Sequence, residues 1–149
     1  MANKKALLLN MRNYYDALGQ DVFDNLPVTF HIKNGLDDPE FTRFKAYYDQ
    51  EDENIKNKKA LKAKKKLMSP ETSPKRPEEN GEFYQSNAPM RNIWILKPGE
   101  NTNCGNGIQV ARDFNEIVEI VTESSKSNKR RTCIVQKYIH NPMLIHRRK

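Results

Sequence analysis

The sequence predicts an α+β chain, and three observations carry that expectation. Apolar residues recur at helical spacing over residues 6–19 and again over 113–121. Short apolar runs at 93–96 and 132–139 are bounded by Pro, Gly or polar residues, as strands are. Between these parts lies a lysine-rich stretch with almost nothing to bury. The predicted fold is a mixed sheet with packed helices, plus a Lys-rich insertion that is either disordered or helical. Three segments follow: 1–53, helical then strand-like; 54–89, a basic low-complexity linker; and 90–149, a compact lobe.

Leu7, Leu8, Met11, Tyr14, Tyr15 and Leu18 fall on one face of a helix that Gly19 can stop, which reads as a helix docking on the sheet. Val22 to Ile32 is apolar-rich, but Pro27 confines any strand there to an edge or a late start. His31, between Phe30 and Ile32, reads first as a packed or hydrogen-bonded histidine. The next segment, Leu36-Asp-Asp-Pro-Glu40, is a helix opening. Asp37 or Asp38 can cap, Pro39 suits the first helical position, and Glu40 complements the positive helix end. Phe41, Phe44 and Tyr48 then give that helix an apolar stripe.

The formal net charge is +7, and it is concentrated. Residues 54–80 hold nine Lys or Arg against three Glu, and seven of the lysines lie within 56–66. Such a run is most simply a solvated face, with an acidic protein surface or nucleic acid as possible partners. No aromatic residue is interleaved between 49 and 82, which argues against a stacking platform for single-stranded nucleic acid. Ser69-Pro70, Ser73-Pro74 and Arg76-Pro77 follow, a composition that cannot bury enough to fold by itself.

Ile93-Trp-Ile-Leu96 ends in Lys97, and Pro98-Gly99 breaks the run. A small polar loop containing Gly105 and Gly107 leads to a second apolar start at Ile108 and Val110. Two readings stay open here. One is a hairpin with a glycine turn; the other is a loop whose backbone N–H groups cover a phosphate, with Lys97 as a mobile cation beside it. Asp113 and Glu116 form a capping box for a helix whose apolar face is Phe114, Ile117, Val118 and Val121. After a polar turn, Thr132–Ile139 reads as a strand, and Asn141-Pro142 as the turn after it.

The two cysteines, Cys104 and Cys133, have neither C-x-x-C spacing nor a nearby histidine pair, so no zinc site is predicted. Free thiols fit a reducing, cytoplasmic setting. Met1 to Arg12 carries only the short Ala6–Leu9 run rather than a full signal-peptide core, and no run approaches membrane-span length.

Taken together, Trp94-Ile-Leu-Lys-Pro-Gly99, Asn103-Cys-Gly-Asn-Gly-Ile108, Ile134-Val-Gln-Lys-Tyr-Ile139, Asn141-Pro-Met-Leu-Ile145 and Arg148-Lys149 resemble the tubulin–tyrosine ligase-like family. Pro27-Val-Thr-Phe-His-Ile32 resembles the segment that precedes its nucleotide module, beside the active site, which keeps a functional role open for His31. The resemblance covers roughly 15–48 and 90–149 and is more specific for the family than for a subgroup. It implies a partial ATP-grasp lobe over 90–149 and ATP-dependent ligation of an amino acid to tubulin or another protein, by tyrosination, glutamylation or glycylation. In that chemistry ATP phosphorylates a carboxylate and an amine attacks the acyl phosphate.

Carried onto this chain, the resemblance places Lys97 on the α- or β-phosphate, Gly105 and Gly107 in a lid loop, and Ile108 near the base. Gln136, Lys137, Tyr138 and Ile139 become the hinge beside adenine, and Lys149 matches a further lysine that approaches the nucleotide. Two departures stand out. Cys104 occupies a position where many members carry arginine, so a bidentate donor is replaced by a thiol. No Asp or Glu follows Glu123, although the family's Mg²⁺ needs carboxylates. As written, the chain is expected to be an incomplete or inactive ligase. Tubulin or the acidic microtubule surface is the implied partner, and the cytoskeleton or a cilium the implied location. The rival reading is a non-catalytic, basic microtubule-binding protein that uses the Lys56–Lys66 run.

Overall fold

The computed structural model describes residues 4–68, 91–99, 105–126, 132–140 and 142. Three helices, α1 (Lys4–Ala17), α2 (Pro39–Met68) and α3 (Phe114–Lys126), combine with four strands: β1 (Thr29–Ile32), β2 (Trp94–Pro98), β3 (Gln109–Ala111) and β4 (Cys133–Lys137). The α+β expectation holds in this arrangement. The strands form one sheet in the order β1-β4-β2-β3. Every pairing in it is antiparallel, so the expected mixed sheet is corrected to an antiparallel one among the described residues. Because β1 borders β4, and β2 lies beyond it, the segment before the lysine run and the segment after it build a single sheet.

Pro27 delays β1 to Thr29 and leaves it on the sheet edge, where a missing N–H is tolerated. Strand alternation sends Phe30, Ile32, Trp94, Leu96, Ala111, Cys133 and Val135 to one face, where α2 and α3 cover them. α2 delivers Phe41, Phe44 and Tyr48 at i, i+3 and i+7, and α3 delivers Ile117 and Val121. Trp94 sits at the centre, fully buried, with its ring edge-to-face against Phe44 at a centroid distance of 4.9 Å. Its indole N–H donates to Asn92 Oδ1 (2.9 Å), and Asn92 Nδ2 donates in turn to the Tyr48 carbonyl (3.1 Å). The most aromatic part of the core thereby also satisfies its polar atoms.

The start of α2 is fixed by Asp38. Its Oδ1 accepts from the Glu40 N–H (2.9 Å), and its Oδ2 accepts from the N–H groups of Lys33 (2.7 Å) and Asn34 (3.0 Å). Pro39 follows at the first helical position. The helix then continues through the lysine run to Met68, so the expected boundary between 53 and 54 lies inside one element. Lysine is a good helix former, and the first proline after Pro39 is Pro70. The Ser-Pro segment that follows lies outside the described residues.

α1 departs from the expectation of a broad docking face. Leu8 is buried and Met11 and Tyr15 are half-buried, but Leu7, Tyr14 and Leu18 are each more than half exposed. The inward stripe is the narrower set Leu8, Met11, Arg12 and Tyr15, and Arg12 anchors it by donating to the Thr29 carbonyl (3.2 Å) and to Glu40 (3.4 Å). Gly19, with φ 67°, ends the helix as expected; its N–H donates to the Asp16 carbonyl and that of Gln20 to the Tyr15 carbonyl. Asp113 caps α3 by accepting from Asn115 N–H, whereas Glu116 reaches back to the Arg112 N–H, one residue beyond the usual partner in a capping box.

Candidate functional site

The face of the sheet opposite the aromatic core carries Thr29, Lys97, Ile134 and Gln136, and the first turns of α1 lie over it. Together with Lys4, Leu7, Leu8 and Leu26 these residues line a cavity of about 120 Å³. Antiparallel register produces the grouping. Thr29 stands opposite Gln136 across β1 and β4, while Lys97 stands opposite Ile134 across β2 and β4, one diagonal step from Gln136.

Lys97 Nζ donates to Gln136 Oε1 at 2.6 Å. Burial lowers the pKa of Lys97, and the neighbouring positive charge of Lys4 lowers it further. A cation held in this way would gain from a nearby anion, which would restore its preference for the charged form.

The glycine turn packs at Pro98, the residue after Lys97 on β2. Gly105 and Gly107 have φ of 78° and 74°, the left-handed conformation that the sequence pattern calls for. A Cβ on Gly107 would stand 2.8 Å from Pro98 Cγ, so the turn packs directly on the residue after Lys97. The Ile108 N–H donates back to the Gly105 carbonyl (3.2 Å) and closes the turn. Ile108 is exposed, as are Gly105 and Gly107.

Lys137 lies elsewhere. Its side chain leaves the opposite face, ion-paired with Glu51 of α2 and placed over the Tyr47 ring at 5.2 Å. Its backbone N–H donates to the Val28 carbonyl (2.8 Å), and the Tyr138 N–H donates to the Ile93 carbonyl (3.0 Å). Both N–H groups are therefore committed to the residues just ahead of β1 and β2. Ile139 is exposed beyond the sheet. His31 is buried within β1. Cys104 and Lys149 lie outside the described residues. Among the described residues no cluster of three or more His, Cys, Asp or Glu could hold a metal ion, and no helix is long and apolar enough to cross a membrane.

Of the residues singled out in the sequence, Lys97 and Gln136 line this cavity, whereas nothing in the sequence pointed to Thr29 or Lys4 there. Only the strand register and the placement of α1 bring those two residues in.

The described unit is thus an antiparallel α+β fold with a lysine near a strand end and a glycine turn packed on the residue after it. The sequence profile of the Tubulin-tyrosine ligase family matches residues 39–149, and the chain belongs to that family. Among curated proteins it is similar to Tubulin glycylase 3B of Drosophila melanogaster, with 41% identity over 59 residues, which is 40% of this chain and 7% of that protein. It is also similar to Protein monoglycylase TTLL8 of Mus musculus, with 39% identity over 57 residues, or 38% of this chain and 7% of that protein. The aligned stretch is thus a small part of either relative. No solved structure matches.

Proposed function

We propose that this chain forms part of the nucleotide-binding portion of an ATP-dependent ligase that joins an amino acid to tubulin or a related protein, with glycine as the favoured addition. The observation that carries the reading is the Lys97–Gln136 pair beside the Gly105–Gly107 turn, within the stretch that matches the family. The preference for glycine rests on the two relatives, which are named a tubulin glycylase and a protein monoglycylase.

The residues present fit a phosphate in chemical type. Lys97 keeps two ammonium protons beyond the one directed at Gln136, and Lys4 adds a second cation at the same cavity. Bound ATP would supply the activated phosphoryl group of the ligation. The chain's own part is to hold the phosphates with Lys97, to let the glycine turn approach them closely, and to keep the site partly shielded by α1. A carboxylate set for Mg²⁺ is not offered by the described residues.

Isothermal titration of the full chain with ATP tests this, with and without Mg²⁺, alongside Lys97→Ala. Loss of a charge-assisted contact should weaken binding about 10–100-fold. Absence of saturable binding up to millimolar ATP would overturn the reading.

A second reading has its own support. Lys56, Lys58, Lys59 and Lys64 are all exposed on the distal half of α2, a cationic surface suited to acidic tubulin tails. Salt-sensitive microtubule pelleting that ATP does not change would favour a purely binding role.

A further inference from the structure

The structure assigns Thr29 as a positioning residue for Lys97, acting through the side-chain amide of Gln136. This rests on the phosphate-facing role proposed above for Lys97. Nothing in the motif that contains Lys97 includes Thr29, which lies on another strand and 107 positions from Gln136 in sequence.

The argument is one of donors and acceptors. Thr29 Oγ1 donates its single proton to the Pro27 carbonyl at 2.7 Å, a group that can only accept. Toward Gln136 the hydroxyl can therefore offer only a lone pair, and Gln136 Nε2 lies 3.0 Å from it. The amide is thereby oriented with its NH₂ toward Thr29 and its oxygen toward β2. That oxygen is where Lys97 Nζ arrives, at 2.6 Å, and an ammonium has donors only. The polarity of the chain is consistent at both ends: carbonyl, hydroxyl, amide, ammonium.

Burial makes the orientation matter. Thr29 is 5% exposed, so a flipped amide would set its NH₂ against Lys97 and leave the buried hydroxyl without its donor. Thr29 is itself held from the outside, since Arg12 of α1 donates to its carbonyl. The proline that delays β1 contributes the carbonyl at the far end. The ammonium of Lys97 is thus fixed by a path that begins in the N-terminal segment, and its two remaining protons are left for an anionic ligand.

The test compares the full chain with Thr29→Val, which keeps the shape and loses the hydroxyl, and with Thr29→Ser, which restores it. Two readouts are taken. The first is solvent exchange of the Gln136 side-chain amide protons by ¹⁵N NMR without nucleotide. The second is the Kd for ATP. The expected result is amide exchange about 10-fold faster and ATP binding about 10-fold weaker in Thr29→Val, with Thr29→Ser close to the native chain in both. A merely structural role would not produce rescue by serine in ligand affinity. If Thr29→Val shows no thermal transition, Thr29→Ala is read in its place.

Native ATP affinity in Thr29→Val would overturn the positioning role while leaving the nucleotide site standing. Failure of the unaltered chain to bind ATP would instead overturn the nucleotide reading, and this inference with it. The amide exchange rates separate that case from loss of the hydrogen-bonded path.

Discussion

Lys97 and Lys137 leave neighbouring antiparallel strands on opposite faces of the sheet, one toward Gln136 and the cavity under α1, the other toward Glu51 on α2. Two lysines of one sheet therefore answer to different environments. Lys97 donates to Gln136 at the cavity, whereas Lys137 is tied to the helix that covers the core.

That division predicts separable phenotypes. Lys137→Ala and Glu51→Ala should each destabilise the fold, and a double-mutant cycle should return a coupling of about 1 kcal/mol for this half-buried pair. Lys97→Ala should leave the thermal midpoint nearly unchanged. Melting curves for the four chains of the cycle, with Lys97→Ala as a fifth, measure it.

Asp38 is expected to be the most sensitive polar residue of the scaffold. Burial alone would raise its pKa, but the N–H groups of Glu40, Lys33 and Asn34 outweigh burial and bring it below the usual 3.8. A depressed carboxylate pKa contributes stability that is present above pH 3.8 and fades as pH falls below it. Asp38→Ala should therefore destabilise by about 2 kcal/mol at neutral pH, with less difference from the native chain in acid. Chemical denaturation at pH 7 and pH 3 would show it.

Cys133 gives the opposite dependence at high pH. Burial raises its thiol pKa from 9.0 to about 12, partly countered by the Lys97 N–H. The folded chain then retains a proton that the unfolded chain loses, so this contribution is intact below pH 9.0 and is lost as pH climbs toward 12. At pH 8, alkylation of Cys133 should be at least 10-fold slower in the native chain than in urea, as peptide mapping would resolve.

The two glycines of the turn should not tolerate alanine equally. Both have positive φ, at a cost of about 1 kcal/mol for any side chain. Gly105 faces open space, whereas a Cβ on Gly107 collides with the rigid ring of Pro98. Gly107→Ala should lose more stability than Gly105→Ala, and should disturb Lys97 Nζ chemical shifts where Gly105→Ala does not.

The features legible in the sequence were those set by local chemistry. Asp38-Pro39 announced a helix start, Gly105 and Gly107 a left-handed turn, and the period of Phe114, Ile117, Val118 and Val121 an amphipathic helix. The features that were not legible depend on pairing between distant segments. Which residue faces Gln136 is a matter of register, and a slip of one position would have put Val28 or Phe30 there in place of Thr29. The helical period of α1 likewise gave the spacing of its apolar residues but not how many would be covered. Arg12 displaced part of that stripe because its hydrogen bonds reach Thr29 and Glu40.

The pairing of β1 with β4 also has a consequence in time. A ribosome adding about 5–20 residues per second makes β4 some 5–20 s after β1 has emerged. Until then the aromatic stripe of α2 has Phe30 and Ile32, and later Trp94, to rest on, but not Val135 of the strand that joins them. The nascent chain thus carries a finished helix and an unmatched strand edge over that interval, and the sheet closes only when β4 arrives between β1 and the β2–β3 pair.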